Sequence, residues 1–151
     1  MFGFEEKCET LYAPISGKIF KIEEAADTVF SHKIMGEGFA TAVDGSQIFA
    51  PVTGTVTLVQ RHAVGLIRSD GLEVLLYLKV ECPYKFTIIA GDNINGGEKI
   101  GQIDLVSARH ADSAKTVMIV FTNTTDKLTD FTVDYRETAG GDVIGRANVK
   151  R

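Results

Sequence analysis

Apolar and polar positions alternate along much of the chain. From Leu72 to Glu81, Leu72, Val74, Leu76, Leu78 and Val80 share one face, and Glu73, Leu75, Tyr77, Lys79 and Glu81 share the other. A period of two predicts a strand with one face on the core. "KIFKIE" (Lys18 to Glu23), "TVTLVQ" (Thr55 to Gln60) and "TVMIVFTN" (Thr116 to Asn123) predict further strands. Turn pairs separate them: Ser16-Gly17, Asp44-Gly45, Thr53-Gly54, Asp70-Gly71, Gly96-Gly97 and Gly140-Gly141. Many short strands between such turns predict an all-β antiparallel sandwich or barrel. Helical signals are confined to one or two very short segments, "EAADTVFSHKIMG" and Asp104 to Lys115.

Two internal echoes refine this picture. "LYAPISGKI" (from Leu11) and "IFAPVTGTV" (from Ile48) match at an offset of 37 residues. In each, proline sets an extended entry and withholds an amide, and glycine turns the chain into the next strand. "AGDNINGGEKIG" (from Ala90) and "TAGGDVIGRA" (from Thr138) repeat a Gly-Asp turn feeding a short strand. The chain therefore reads as a twofold-repetitive β-sandwich. Residues 1–10 are a lead-in and 11–151 a single domain.

Composition narrows the function classes. The 151 residues are 44% hydrophobic and 24% charged, ordinary for a globular domain with a core of its own. The net charge is −4 with no Lys/Arg block, which argues against nucleic acid or an anionic membrane as partner. Acids stand where a signal peptide needs a basic flank, and no apolar run reaches the roughly 18 residues of a membrane span. A cytoplasmic protein without membrane insertion is expected. Cys8 and Cys82 are too few for a disulfide framework or a structural zinc site and are read as reduced and unpaired. No phosphate-binding loop, Gly-x-Ser-x-Gly elbow or carrier lysine turn is present, so no cofactor is expected.

The order and spacing of "APISGKI", "DTVFSHKIMGEGFA", "IFAPVTGTV", "RHAVGLIRSDGLEVLLYL", "AGDNINGGEKIGQIDL" and "AKTVMIVFTN" resemble the glucose-type IIA domain of the bacterial phosphoenolpyruvate-dependent sugar phosphotransferase system. The resemblance runs from about Leu11 to Lys150. It implies an antiparallel β-sandwich or barrel of the duplicated hybrid-motif type. It also implies two histidines facing each other in a shallow apolar depression. One, in a His-Ala-x-Gly turn, matches His62 and supports the other. The second accepts a phosphoryl group from the carrier protein HPr and passes it to a sugar-specific IIB domain. At that position this sequence has Tyr77, followed by Lys79 for the family's glycine and Glu81 for its aspartate. Gln60 replaces a threonine, and "CPYKFTII" is several residues shorter than usual.

These departures carry a chemical expectation. A neutral imidazole nitrogen is nucleophilic near neutral pH, and phosphohistidine is energetic enough to donate onward. A phenol, with an ordinary pKa of about 10, needs a strong base beside it, and its aryl ester is a poor donor. The first reading is a degenerate member that keeps the fold, loses the usual relay and acts by binding an HPr-like, transporter or regulatory protein. The second is an active phosphocarrier using His62 or a remodelled site, with Tyr77 or Lys79 steadying the phosphate. The third is a small-ligand or metal-binding β-sandwich, for which three isolated histidines without a His-x-His pair are a poor ligand set. Whether the chain is an enzyme stays open among these. Tyr77 is expected to meet His62, with its hydroxyl reaching the imidazole. His32 reads as an exposed polar residue and His110 as part of a solvated helix or turn. Phe30, Met35 and Phe39 are either an apolar docking patch for a partner or part of the core.

Overall fold

The computed structural model describes residues 9–80, 83–104 and 115–150. Its backbone is an array of short antiparallel strands. β1 (Thr10–Tyr12), β12 (Leu128–Val133) and β14 (Val143–Val149) form one three-stranded sheet in the order β1-β14-β12. β4 (Gln47–Phe49), β8 (Tyr84–Phe86) and β10 (Lys99–Ile103) form a second, in the order β4-β10-β8. The third sheet holds β2 (Gly17–Lys21), β3 (Glu37–Val43), β5 (Gly54–Gln60), β6 (Ala63–Ile67), β7 (Glu73–Lys79), β9 (Asn93–Ile94), β11 (Thr116–Phe121) and β13 (Glu137–Thr138). Its order is β13-β2-β3-β11-β7-β6-β5-β9. Two one-turn helices, α1 (Thr28–Ser31) and α2 (Thr124–Lys127), and a 3-10 turn at Ile22–Glu24 complete the described elements. This is the antiparallel β-sandwich expected from the alternation and turns.

The echoes of the sequence are pairings in space. The Phe49 amide donates to the Pro14 carbonyl at 2.7 Å, and the Tyr12 amide to the Pro51 carbonyl at 2.9 Å. The Ala13 amide donates to Asp142 and the Ala50 amide to Glu98, while Gly141 and Gly97 donate back to Ala13 and Ala50. Each Ala-Pro entry is thus tied to the other and to one Gly-Gly turn. The proline carbonyls accept, and the amides they lack are not needed. Gly97 and Gly141 face each other at φ 82° and 87°, the left-handed region glycine tolerates. A Cβ on either would come within 3.1–3.3 Å of the other's carbonyl oxygen. Gly96 and Gly140, one residue earlier, lie against the rings of Tyr12 and Phe49, where a Cβ would stand 2.1 and 2.5 Å from a ring carbon.

The core lies between the sheets. Leu72, Val74, Leu76, Leu78 and Val80 are all buried in it, as their spacing requires. β11 reads as a continuous apolar run because both its faces are covered. Val117, Ile119 and Phe121 enter the main core. Met118 and Val120 point the other way and form a smaller cluster with Ile22, Phe30 and Ala40, under the 3-10 turn and α1. Two predicted strands stop early. β2 ends at Lys21 because Ile22 turns into this smaller cluster. β11 ends at Phe121, and Asn123 is spent on β7: its amide oxygen accepts the Glu73 N–H at 2.9 Å and its nitrogen donates to the Gly71 carbonyl at 2.9 Å.

One buried charge braces the end of β6. The Arg68 side chain is fully enclosed; its Nε and Nη2 donate to Asp70, and Nη2 also donates to the Ala147 carbonyl of β14 at 2.9 Å. A buried guanidinium is tolerated only when paired in this way.

Candidate functional site

The outward side of the large sheet carries the site. On β7, Leu75 and Tyr77 are half-buried and Glu73 and Lys79 exposed. Beside them β6 presents Ala63 opposite Tyr77 and Gly65 opposite Leu75. Small neighbours leave a shallow floor. A groove of about 450 Å³ runs along it, lined by Met35, Leu58, Gly65, Leu75 and Thr122, among others.

His62 sits in the β5–β6 turn with φ 73°. A non-glycine residue in the left-handed region costs about 1–3 kcal/mol unless its surroundings hold it there. Here Leu78 holds it twice. The Leu78 amide donates to the His62 carbonyl at 2.7 Å, and His62 Nδ1 lies 3.2 Å from the Leu78 carbonyl. A carbonyl only accepts, so Nδ1 carries the hydrogen and, in the neutral ring, Nε2 has the free lone pair.

Aromatic rings continue on both sides of this imidazole. The Tyr77 centroid is 6.3 Å from that of His62 and 5.0 Å from that of Phe30. On the other side Tyr84 of β8 stands 5.4 Å from His62, and Phe86 5.7 Å from Tyr84. Tyr77 and His62 are therefore neighbours, as the sequence led one to expect, but the meeting is ring to ring. The hydrogen bond of Nδ1 goes to the Leu78 backbone.

Lys79 reaches over this floor to α1. Its ammonium lies 3.5 Å from Oδ2 of Asp27, while Oδ1 of the same carboxylate caps α1 by accepting the Val29 N–H at 3.0 Å. At the far end of the helical segment Lys33, at φ 59°, pairs with Glu37 at 3.2 Å and Glu23 at 3.5 Å. The hydrogen bond to Glu37 raises the Lys33 amine above its ordinary pKa against the opposing effect of burial, and the two carboxylates add attraction. Glu23 is held below the usual carboxylate range, first by a backbone hydrogen bond and then by Lys33. Burial, reinforced by Glu23 and Glu37, pushes the nearby Tyr135 phenol up. The segment from Asp27 to Glu37 is a strap, clamped by an ion pair at each end, with Phe30 pressed onto Tyr77.

The apolar patch needs correction. Phe39 is fully buried in the main core: β3 turns it inward, opposite Ile119 of β11, so no partner can touch it. Phe30 is also buried, beneath the strap, and Met35 is half-buried along the groove. The exposed apolar side chains of the strap are Val29 (42%) and Ile34 (70%). They lie within the same segment; helical spacing would put Ile34 on the face of Phe30, but α1 ends at Ser31 and Lys33 takes a left-handed φ, so Ile34 turns outward instead. His32 is exposed. Tyr84, Asp27 and Leu75 were not singled out in the sequence. Tyr84 comes to the site through the pairing of β8 with β10. Glu81, Cys8, Cys82, His110 and the helix candidate over 105–114 lie outside the described residues. Among the described residues no three His, Cys, Asp or Glu side chains gather as a metal-ligand set, and no helix is long and apolar enough to cross a membrane.

This sandwich, with a histidine turn set against an outward-facing strand, is the class that the sequence motifs anticipated. Residues 9–127 match the family described as phosphoenolpyruvate-dependent sugar phosphotransferase system, EIIA 1, and the chain belongs to it. It is 32% identical over 129 residues to a glucose-specific EIIA component of Staphylococcus aureus, covering 79% of this chain and 76% of that one. It is 30% identical over 128 residues to a glucose-specific EIICBA component of Streptococcus pneumoniae, covering 80% of this chain but only 18% of that protein's length. The glucose permease IIA from Mycoplasma capricolum superposes with a TM-score of 0.76 at 28% identity, over 90% of this chain and 93% of that one.

Proposed function

We propose that this protein is a cytoplasmic IIA-type component of a sugar phosphotransferase system whose usual histidine relay is interrupted at Tyr77, and that it acts by docking a protein of that system. The observation that carries the reading is the tyrosine itself. Tyr77 stands on β7 beside His62, where the family resemblance puts the accepting histidine. A phenol in that place is a weak nucleophile and would form a stable ester rather than a transferable phosphoramidate. The docking half of the proposal draws on the groove lined by Met35, Leu58, Gly65 and Leu75, and on the exposed Val29 and Ile34 of the strap that also carries Met35, apolar surface of the kind that seats partner side chains. HPr, or a IIB or transporter component, is the partner the family resemblance supplies.

Lys79 sets the second departure. In place of a glycine it adds a charged arm, two residues along β7 from Tyr77 and tied to Asp27 at 3.5 Å. Tyr77→His combined with Lys79→Gly should therefore create a phosphate acceptor. The test incubates the double variant with phosphoenolpyruvate, enzyme I and HPr and reads intact mass. Labelling on residue 77 is the expected result. A correctly folded double variant that stays unlabelled would sink the proposal that this face still receives HPr.

One observation favours a second reading, in which His62 is itself the acceptor. The Nδ1 bond to Leu78 leaves Nε2 free to attack. Site-mapped phosphate on His62 of the unaltered protein would decide for it.

A further inference from the structure

We infer that Tyr84 is a positioning residue of this site: with Tyr77 it clamps the His62 imidazole edgewise on the Leu78 carbonyl and so presents a bare Nε2 as a hydrogen-bond acceptor to a donor group on the docked partner. The partner's part in this rests on the docking reading above; the clamp rests on geometry alone.

Several observations converge on Tyr84. β8 begins at Tyr84, and this first side chain of the strand lies against His62, with ring centroids 5.4 Å apart. β8 is anchored behind it: Tyr84 is opposite Ile103 and Phe86 opposite Gly101 of β10, and Phe86 backs the Tyr84 ring at 5.7 Å. Both aromatic side chains pack against the main core. On the opposite flank Tyr77 is backed in the same manner by Phe30. The imidazole is thus the middle ring of a row of five, each outer pair fixed to a different apolar cluster. Such contacts favour tilted and offset arrangements, which these are.

The row solves a problem set by the backbone. His62 has a strained φ, and one bond from Nδ1 at 3.2 Å is a modest restraint on a ring free to rotate about χ2. In water the neutral imidazole prefers its hydrogen on Nε2, the opposite tautomer. Rings on both flanks block rotation and keep Nδ1 on the carbonyl. The outcome is an imidazole that accepts outward and donates inward.

The test is 15N NMR of the histidine side chains at a pH where the imidazoles are neutral, on the unaltered protein and on Tyr84→Phe, Tyr84→Leu and Tyr84→Ala. His62 should show the Nδ1-protonated pattern, well resolved from exposed His32, which should show the ordinary mixture. Tyr84→Phe should keep that pattern, because the ring and not the hydroxyl forms the clamp. Tyr84→Leu, which retains apolar bulk and guards against a simple folding failure, should return His62 toward the His32 pattern, as should Tyr84→Ala. An Nε2-protonated His62 in the unaltered protein, or an unchanged His62 pattern in a folded Tyr84→Leu, overturns the inference. Neither result depends on whether the protein takes up phosphate, so the clamp and the docking proposal fail separately.

Discussion

Asp27 holds the strap in two ways, and the structure says how much each is worth. Oδ1 caps α1 through the Val29 amide at 3.0 Å, and Oδ2 faces the Lys79 ammonium at 3.5 Å. An Asp cap contributes about 1 kcal/mol. The ion pair joins side chains that are 50% and 28% exposed, so solvent screening keeps it below about 1 kcal/mol. Asp27→Asn keeps an oxygen for the cap and loses only the charge. It should therefore cost less than about 1 kcal/mol, the same as Lys79→Ala. Asp27→Ala loses both and should cost about 1–2 kcal/mol, roughly 2–8 °C in Tm for a domain of this size. Urea denaturation with unchanged m-values reads these differences. In 1 M salt, where the screening length falls to about 3 Å, the cost of Asp27→Asn should vanish while most of the cost of Asp27→Ala remains. Asp27→Asn as damaging as Asp27→Ala, or a salt-insensitive penalty for Lys79→Ala, would refute this division of labour.

Other substitutions probe other parts of the account. Asp70→Ala strands the enclosed Arg68 guanidinium and should cost about 3 kcal/mol in urea denaturation, whereas Arg68→Met should be far milder because it removes the charge itself. Phe39→Ala should cost about 3–5 kcal/mol as a core cavity, and Ile34→Ser less than about 0.5 kcal/mol while weakening capture of HPr or a IIB domain; the same denaturation series and a binding titration separate the two. The Lys33 clamp gives a pH signature on both limbs. Its raised pKa means a contribution fully present below the ordinary lysine value and lost as pH rises through the folded value above it. Glu23, lowered, contributes above the ordinary carboxylate value and loses that contribution as pH falls through its folded one. Lys33→Gln should flatten the alkaline limb of a stability–pH profile and part of the acid limb.

Much of the fold was legible because it rests on short-range rules. The period of two placed the buried face of β7 residue by residue, and the two Ala-Pro-x-x-Gly segments announced a duplication that the structure realises as reciprocal hydrogen bonds to Pro14 and Pro51. What could not be read was which side of a doubly covered strand each neighbour meets. Phe39 and Phe30 are both apolar and close in sequence, yet one enters the main core and the other the cluster beneath the strap. The register of β3 against β11 decides the first, and the packing of α1 on Tyr77 and its cluster the second. Asp27 caps α1 locally, but its partnership with Lys79, 52 residues on, is set by the fold and has no local signal. Tyr84 reaches His62 through β8 pairing with β10, a long-range register that no local pattern reveals. At the site itself the residue types carried the chemistry: a histidine facing a tyrosine is visible in the sequence once the motif order is recognised.

The proposed interruption of the relay at Tyr77 is tested most directly on the unaltered protein. It is incubated with phosphoenolpyruvate, enzyme I and HPr, beside a histidine-bearing IIA domain as control. Intact mass is then read under alkaline conditions, which preserve phosphohistidine. The account predicts that the control gains one phosphoryl group and this protein gains none while still binding HPr or a IIB component. A phosphoryl group on this protein, mapped to His62, would contradict it.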